Sequence, residues 1–126
     1  AYVSTHDVAP TLLALADVPS PVKMEGRNIW EWVTKEKKDT REYITSIYGG
    51  YIWCRDEEYA YIANLDGGDK RLYNIQEDQS QNINIAKDKP KLCEKMYKRV
   101  QADAEGSLPR FRLRKPDTPW YDSTLI

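Results

Sequence analysis

The sequence has few of the residue types from which catalytic centres are built. Among 126 residues it contains one histidine, His6, and two cysteines, Cys54 and Cys93. Metal sites need several His, Cys, Asp or Glu residues to converge, and here the carboxylates are scattered among lysines. Nucleophilic catalysis would require His6 as the base, yet no partner residue accompanies it at a suitable spacing. The residues therefore predict no catalytic, cofactor-binding or metal site, and we expect the chain alone to be inactive.

Long apolar runs and an excess of one charge are also missing. No stretch approaches the roughly 18 apolar residues of a membrane helix, and no charged-then-apolar leader is present. Nineteen basic and twenty acidic residues give a net charge of -1, too small to attract nucleic acid or an anionic membrane. We expect neither among the partners, and the residues give no indication of localisation.

The two cysteines and the paired glycines have no reactive context. Cys54 falls in a predicted strand and Cys93 in a predicted helix, so they could pair only if the fold brought them together. The alternative is two buried free thiols. Gly67 and Gly68 lie in a predicted hairpin rather than between a strand and a helix, which excludes a phosphate-binding loop.

Residues 42–75 carry the clearest structural pattern. Four short runs rich in β-branched and aromatic residues are each closed by a turn signal. The separators are Gly49-Gly50, residues 55–58 and residues 66–69, whose residue types tolerate positive φ or bond their own backbone. The pattern predicts an antiparallel meander of four strands.

The alternation within these strands predicts two different sheet faces. On an aromatic face we place Tyr51, Trp53 and Arg55 with Tyr59, Tyr61, Ala63 and Leu65, and on an aliphatic face Ile52 and Cys54 with Ala60, Ile62 and Asn64. We expect a helix to cover the aliphatic face. Trp53 and Arg55 are candidate contact residues for a substrate or partner, because an aromatic face beside an arginine can stack on a sugar or a base. Ordinary cross-strand aromatic packing is the alternative.

Residues 89–105 predict the covering helix. Pro90 lies in its first turn and Gly106 follows its end. Its apolar stripe consists of Leu92, Cys93, Met96, Tyr97, Val100 and Ala104. The predicted fold class is therefore α+β, a four-stranded antiparallel sheet packed by a C-terminal helix and preceded by short N-terminal helices.

The first of those N-terminal helices is apolar on every side. Asp7 is the predicted N-cap and the helix is expected to run to about Ala16 without a charge after residue 8. Such helices normally lie buried, so we expect the layer that covers this one to lie upstream. Without that layer, Leu12, Leu13 and Leu15 would form an apolar patch, and the isolated chain would self-associate. A capping-box pattern at Asn28 predicts a second, short helix.

Arginines alternate with apolar residues after position 107. Arg110, Arg112 and Arg114 would share one face of a strand. Either a groove for an acidic partner or a solvated edge strand accounts for this pattern.

Two stretches resemble the C-terminal part of the sulfatases of the alkaline-phosphatase superfamily. STHDVAPTLLALADVPSPVKMEGRNIW resembles the segment in which a D-x-x-P-T helix leads to a D-G-x-S-L-like helix start. CRDEEYAYIANLDGGDKRLYNIQEDQSQNINIA is similar to the run from an Arg strand through an L-Y-D-L strand to D-P-x-E-x-x-N-L-A. Departures from the family are the missing lysine in residues 59–62, Asn74 in place of Asp, and Gln79 and Gln81 in place of Pro and Glu.

The resemblance implies a sulfatase-like sulfuric ester hydrolase whose calcium and formylglycine residues lie upstream, in a parent that is periplasmic or secreted. Cys54 and Cys93 lack the C-x-P-S-R-like context of a formylglycine precursor. The implied organisation is the end of an upstream α/β domain in residues 1–40, a sheet-and-helix subdomain in 41–106 and a surface extension in 107–126. The alternatives are a stand-alone binding module for acidic glycan and part of a related phosphodiesterase or phosphonate hydrolase.

Overall fold

The computed structural model describes residues 2–34 and 41–108, and the prediction for Arg110, Arg112 and Arg114 lies outside these ranges. Within them, a 3-10 helix, three α-helices and four strands follow one another. The 3-10 helix is Thr5–Asp7, the α-helices are α1 (Val8–Leu15), α2 (Trp30–Thr34) and α3 (Pro90–Asp103), and the strands are β1 (Ile44–Tyr48), β2 (Tyr51–Arg55), β3 (Tyr59–Asn64) and β4 (Arg71–Asn74). This confirms the predicted α+β class. Within the described ranges, no helix has the length and apolarity to cross a bilayer.

The four strands form one antiparallel sheet in the order β1-β2-β3-β4, as predicted. Gly49 and Gly50 both have positive φ, 56° and 92°, which suits the tight turn between β1 and β2. The Asp56 carboxylate closes the next turn by accepting two backbone amides at 3.1 and 2.8 Å. Asp66 closes the third by accepting the Gly68 amide at 2.8 Å. Each turn signal therefore ends a strand where the sequence indicates.

The predicted division into an aromatic and an aliphatic face is wrong. In the observed register Cys54 lies opposite Tyr61 and Trp53 opposite Ile62. Directly opposite residues share a face, so Tyr61 lies with Cys54 rather than with Trp53. Because Arg55 pairs with Ala60, the four residues 56–59 separate the paired positions, and odd-numbered residues of β2 meet even-numbered residues of β3.

The core lies between α3 and one face of the sheet. Its fully buried members from the sheet are Ile52, Cys54, Tyr61, Ala63 and Leu72, and those from α3 are Cys93, Met96 and Val100. The predicted helix stripe is thus confirmed. Cys54 and Cys93 are both buried free thiols, and the Cys54 sulfur lies 3.8 Å from the Met96 sulfur.

A side-chain amide covers part of the open edge of β4. Asn84 accepts the Leu72 amide at 3.0 Å and donates to the Lys70 carbonyl at 3.2 Å. The Ile85 amide adds a backbone bond to the Leu72 carbonyl at 2.8 Å. This polar loop therefore satisfies backbone groups that an edge strand would otherwise expose.

Candidate functional site

The N-terminal segment begins with a turn that frees a carboxylate for another role. Ser4 is the N-cap of the 3-10 helix: its hydroxyl accepts the His6 amide, and the Asp7 carboxylate accepts the Ser4 amide at 2.7 Å. Asp7 takes the N-cap position of α1, as predicted, but it has helical backbone angles and its side chain makes no cap bond to α1. The predicted position is therefore confirmed and the predicted cap bond is wrong, because the carboxylate belongs to the capping box of the preceding turn.

Asp7 instead forms a buried ion pair with Arg41. The carboxylate is 0% exposed and accepts the two Arg41 guanidinium nitrogens at 2.8 and 3.0 Å. It also accepts the Arg27 amide at 2.8 Å, while Arg41 donates to the Tyr2 carbonyl at 2.9 Å. Hydrogen bonds from Arg41, with those from the backbone, hold the pKa of Asp7 well below its usual range. We call Asp7, Arg41 and the Arg27 amide the Asp7 clasp; it ties three separate stretches of chain together.

Thr11 and Gly26 complete the attachment of the returning loop. The Thr11 hydroxyl donates to the Asp7 carbonyl at 2.5 Å and accepts the Ile29 amide at 3.1 Å. A Cβ on Gly26 would lie 1.8 Å from the His6 carbonyl oxygen, so only glycine fits this approach. The D-x-x-x-T spacing thus places both polar side chains on the side of the helix that receives the loop.

Much of the surface of α1 is apolar and exposed. Val8, Leu12 and Leu15 are 52%, 60% and 50% exposed, whereas Asp7 and Thr11 are buried. The spacing of four and three residues places Val8, Leu12 and Leu15 in one stripe, which we call the α1 stripe. Leu13, the third leucine of the predicted patch, is half-buried. Helix α1 therefore buries its one polar side chain, Thr11, and exposes apolar ones, the reverse of an ordinary surface helix.

A polar cleft of about 680 Å³ separates this segment from β1 and the end of α3. Charged and polar residues that line it include Ser4, His6, Lys23, Glu25, Arg27, Glu42, Asp103 and Glu105. The His6 ring nitrogen Nδ1 lies 3.1 Å from the Ser4 hydroxyl. Across residues 2–34 and 41–108, no group of three or more His, Cys, Asp or Glu residues could hold a metal ion.

The two predicted contact residues lie on the sheet face that is opposite α3. Trp53 is half-buried and lines a second cavity, of about 490 Å³, together with residues 3–6. Arg55 is exposed, and its side chain hydrogen-bonds to the Tyr2 hydroxyl. The N-terminal segment thus reaches both residues. Their role in contacting a substrate or partner stays a prediction.

The register brings two further aromatic residues onto the same face. Tyr48 lies directly opposite Tyr51 across the Gly49-Gly50 turn. They are 85% and 48% exposed, respectively. This cross-strand pair is not among the predicted contact residues, although the two-residue Gly-Gly turn is a signal from which the pairing can be derived.

A polar network fixes α3 to the sheet, and Asp103, Tyr43 and Thr45 of this network also line the cleft. An Arg99 nitrogen donates to Asp56 at 2.6 Å, and the guanidinium lies 4.6 Å from the centre of the Tyr43 ring. Asp103 accepts the Thr45 hydroxyl at 2.7 Å and the Tyr43 hydroxyl at 3.3 Å. Burial opposes the ionisation of Asp56, but bonds from the Tyr59 backbone and Arg99 outweigh it and lower the pKa. These contacts hold α3 against the sheet, so the network has a structural role.

Comparison with known proteins gives matches to sulfatases, although no family model matches the chain. A Delta 4,5-hexuronate-2-O-sulfatase of Bacteroides thetaiotaomicron is 28% identical over 122 residues, covering 90% of this chain and 24% of the relative. Arylsulfatase K of Danio rerio is 28% identical over 112 residues, covering 79% of this chain and 21% of the relative. The solved structure of a 2-O GAG sulfatase matches with a TM-score of 0.60 and 26% identity, over 79% of this chain and 23% of that one.

The predicted resemblance to the C-terminal region of sulfatases is confirmed by both kinds of comparison. The chain spans about a quarter of the length of the relatives that it matches.

Proposed function

We propose that this chain is the C-terminal quarter of a sulfatase-like sulfuric ester hydrolase, in which it supports the catalytic domain without carrying out the reaction itself. The observation that carries this proposal is the match of 90% of the chain to only 24% of a sulfatase. The described side chains form a clasp and a core, which suits a supporting role.

We propose that the reactive groups of the parent enzyme lie in the part of the protein that precedes these residues. These groups are a formylglycine made from Cys or Ser, and a calcium ion. Neither cysteine here suits the role: Cys54 and Cys93 are both buried. Burial raises the pKa of the Cys54 thiol to about 12, so it stays protonated and unreactive.

The α1 stripe is the proposed contact with the upstream α/β domain. Leu12 and Leu15 are half or more exposed on a helix that carries no charge. Apolar surface in water is unfavourable in free energy, so this stripe suits an apolar partner. The relatives supply such a partner, since some three quarters of their length lies outside the matched region. On this account, the Asp7 clasp holds α1 to the subdomain from one side while the α/β domain covers it from the other.

We propose a sulfated glycan as the substrate of the whole protein. Two of the relatives are named as a Delta 4,5-hexuronate-2-O-sulfatase and a 2-O GAG sulfatase. A related phosphodiesterase or phosphonate hydrolase remains the alternative reaction class, because the C-terminal region does not touch the reacting ester in this account.

The test is the activity of the full-length natural product and of the 126-residue chain, assayed side by side. We expect the full-length protein to hydrolyse an aryl sulfate and a 2-O-sulfated glycosaminoglycan disaccharide, and the chain alone to hydrolyse neither. A full-length variant with its formylglycine precursor replaced by Ala is the matched control. Hydrolysis of a phosphodiester or phosphonate ester, with no turnover of sulfate esters, would establish the alternative class. Sulfatase activity of the chain alone would overturn the division of roles.

A further inference from the structure

The short helix α2 carries apolar side chains that the described residues do not bury. None of its five residues is buried, and Trp30 and Val33 are 46% and 70% exposed. Their spacing of three residues places both side chains on one face of the helix. The Asn28 side chain caps α2 by accepting the Trp30 amide at 3.0 Å. A single cap does not stabilise so short a helix, because isolated helices below about 12 residues are marginal in water without packing.

The stretch that contains α2 has no apolar core of its own. Within residues 2–34 only Asp7 and Thr11 are buried, and both are polar. Besides the α1 stripe, the large apolar residues that this stretch exposes are Val3, Val18, Val22, Trp30 and Val33. The apolar side chains of residues 2–34 are therefore not covered by one another.

We propose that Trp30 and Val33 form a second contact with the upstream α/β domain of the parent enzyme, in addition to the α1 stripe. This inference rests on the proposed function, because the occupant is the part of the relatives that the chain does not match, about three quarters of their length. The surface that receives α2 is an apolar pocket with a hydrogen-bond acceptor, since a buried tryptophan requires space for its indole and a partner for its N–H.

The attachment of α2 to α1 allows one partner to contact both helices. The Thr11 hydroxyl accepts the Ile29 amide at 3.1 Å, immediately before α2 begins. The start of α2 therefore lies beside the middle of α1. The hydrogen bonds of Thr11 hold the returning loop to the polar side of α1 and leave the apolar residues of both helices uncovered.

A second copy of the protein is the alternative occupant of this face. A stable interface between separate proteins buries about 800 Å² on each partner, far more than two side chains supply. A domain of the same polypeptide needs no such area, because the covalent link raises its effective concentration. The small size of the α2 face therefore favours the upstream domain.

Cysteine labelling of the full-length protein tests the contact. Val33→Cys is made in the full-length protein and in the 126-residue chain, and its reaction with a maleimide is followed by mass spectrometry of the peptide that contains residue 33. We expect labelling to be at least about tenfold slower in the full-length protein, because the contact must open before the thiol reacts.

The matched control is Ile83→Cys, at a residue that is 65% exposed. Ile83 adjoins Asn84, which bonds to β4 at the opposite edge of the sheet from β1. It should react equally fast in both proteins. Adding Trp30→Ala to full-length Val33→Cys should restore fast labelling through loss of the anchor, whereas adding Tyr48→Ala, on the β1–β2 hairpin, should not.

Equal labelling of Val33→Cys in the two proteins would overturn the contact. Protection that disappears on dilution of the full-length protein would assign the face to a second copy and overturn it as well. Turnover of sulfate esters without protection of Val33→Cys would refute the contact and leave the sulfatase assignment intact. Protection in a full-length protein that hydrolyses no sulfate ester would refute the assignment and leave the contact intact.

Discussion

Two tyrosine hydroxyls beside the core differ in whether they have a partner. The Tyr61 hydroxyl is buried without a hydrogen-bond partner among the described residues. The Tyr97 hydroxyl donates to the Leu65 carbonyl at 2.7 Å. Burial raises the pKa of Tyr61 to about 12, so the hydroxyl stays protonated and its desolvation is not compensated.

We therefore expect Tyr61→Phe to raise the free energy of unfolding by about 1 kcal/mol, because the uncompensated polar group is removed. Tyr97→Phe, the matched control, should lower it by about 1 kcal/mol through loss of a satisfied hydrogen bond. Urea denaturation of the three proteins measures both changes. Destabilisation of the Tyr61 variant equal to that of the Tyr97 variant would show that Tyr61 has a partner.

The Asp7 clasp should make the attachment of the N-terminal segment depend on pH. The folded pKa of Asp7 is lowered, so its stabilisation is complete above the unfolded value of about 3.9 and is lost as the pH falls below that value. Amide hydrogen exchange, corrected for the intrinsic rate and compared from about pH 6 to about pH 3, should show earlier opening of residues 2–34 than of the sheet.

Asp7→Asn tests the same contact at neutral pH. We expect it to lower the opening free energy of residues 2–34 by up to about 3 kcal/mol, the low end for a broken buried ion pair. The low end applies because the Arg41 side chain is 14% exposed and can turn to water. Asp17→Asn, at an exposed residue, is the control. Equal exchange in the two variants would mean that the clasp does not hold the segment.

At the scale of elements, the loop that returns to the start of α1 depends on Gly26. Gly26→Ala should force the loop away from His6, because the new methyl would lie 1.8 Å from a backbone oxygen. We expect faster exchange in residues 2–34 and unchanged exchange in the four strands. In Gly68→Ala, the matched control, the nearest atom is a flexible side-chain oxygen at 3.1 Å. A Gly26 variant that exchanged no faster than this control would contradict the described geometry.

The elements themselves could be predicted from sequence because their signals are local. Strand alternation, the Gly49-Gly50 turn and the apolar stripe of α3 each depend on neighbouring residues. Which residues of β2 and β3 share a sheet face could not be predicted. It depends on whether an even or an odd number of residues separates the paired positions Arg55 and Ala60. The alternation is visible in each strand, but the register between strands is not.

The candidate site was predictable only in part for a similar reason. Trp53 and Arg55 were identified by residue type within a strand, and they do lie on one sheet face. The ion pair of Asp7 with Arg41 joins residues 34 positions apart, and no spacing rule reaches that far. The absence of a cap bond from Asp7 to α1 could not be predicted, because the capping box and the simple N-cap share the same residue types.

At the scale of the whole molecule, the α1 stripe predicts self-association of the isolated chain. We expect concentration-dependent association in sedimentation velocity, and its loss in the double variant Leu12→Glu, Leu15→Glu. The stability of the fold should change little, because both side chains are at least half exposed. Ile83→Glu, at a residue 65% exposed elsewhere, should associate like the unmodified chain. A clean monomer at high concentration, binding no dye specific for apolar surface, would contradict this prediction.

The central claim is that these residues are the C-terminal quarter of a sulfatase-like enzyme, and the length of the natural gene product tests it most directly. Intact mass from the source, together with the reading frame upstream of Ala1, gives that length. The account predicts a protein several hundred residues longer that carries a C-x-P-S-R-like motif before Ala1, in keeping with the 24% coverage of its relative. A natural product that starts at Ala1 would contradict the account.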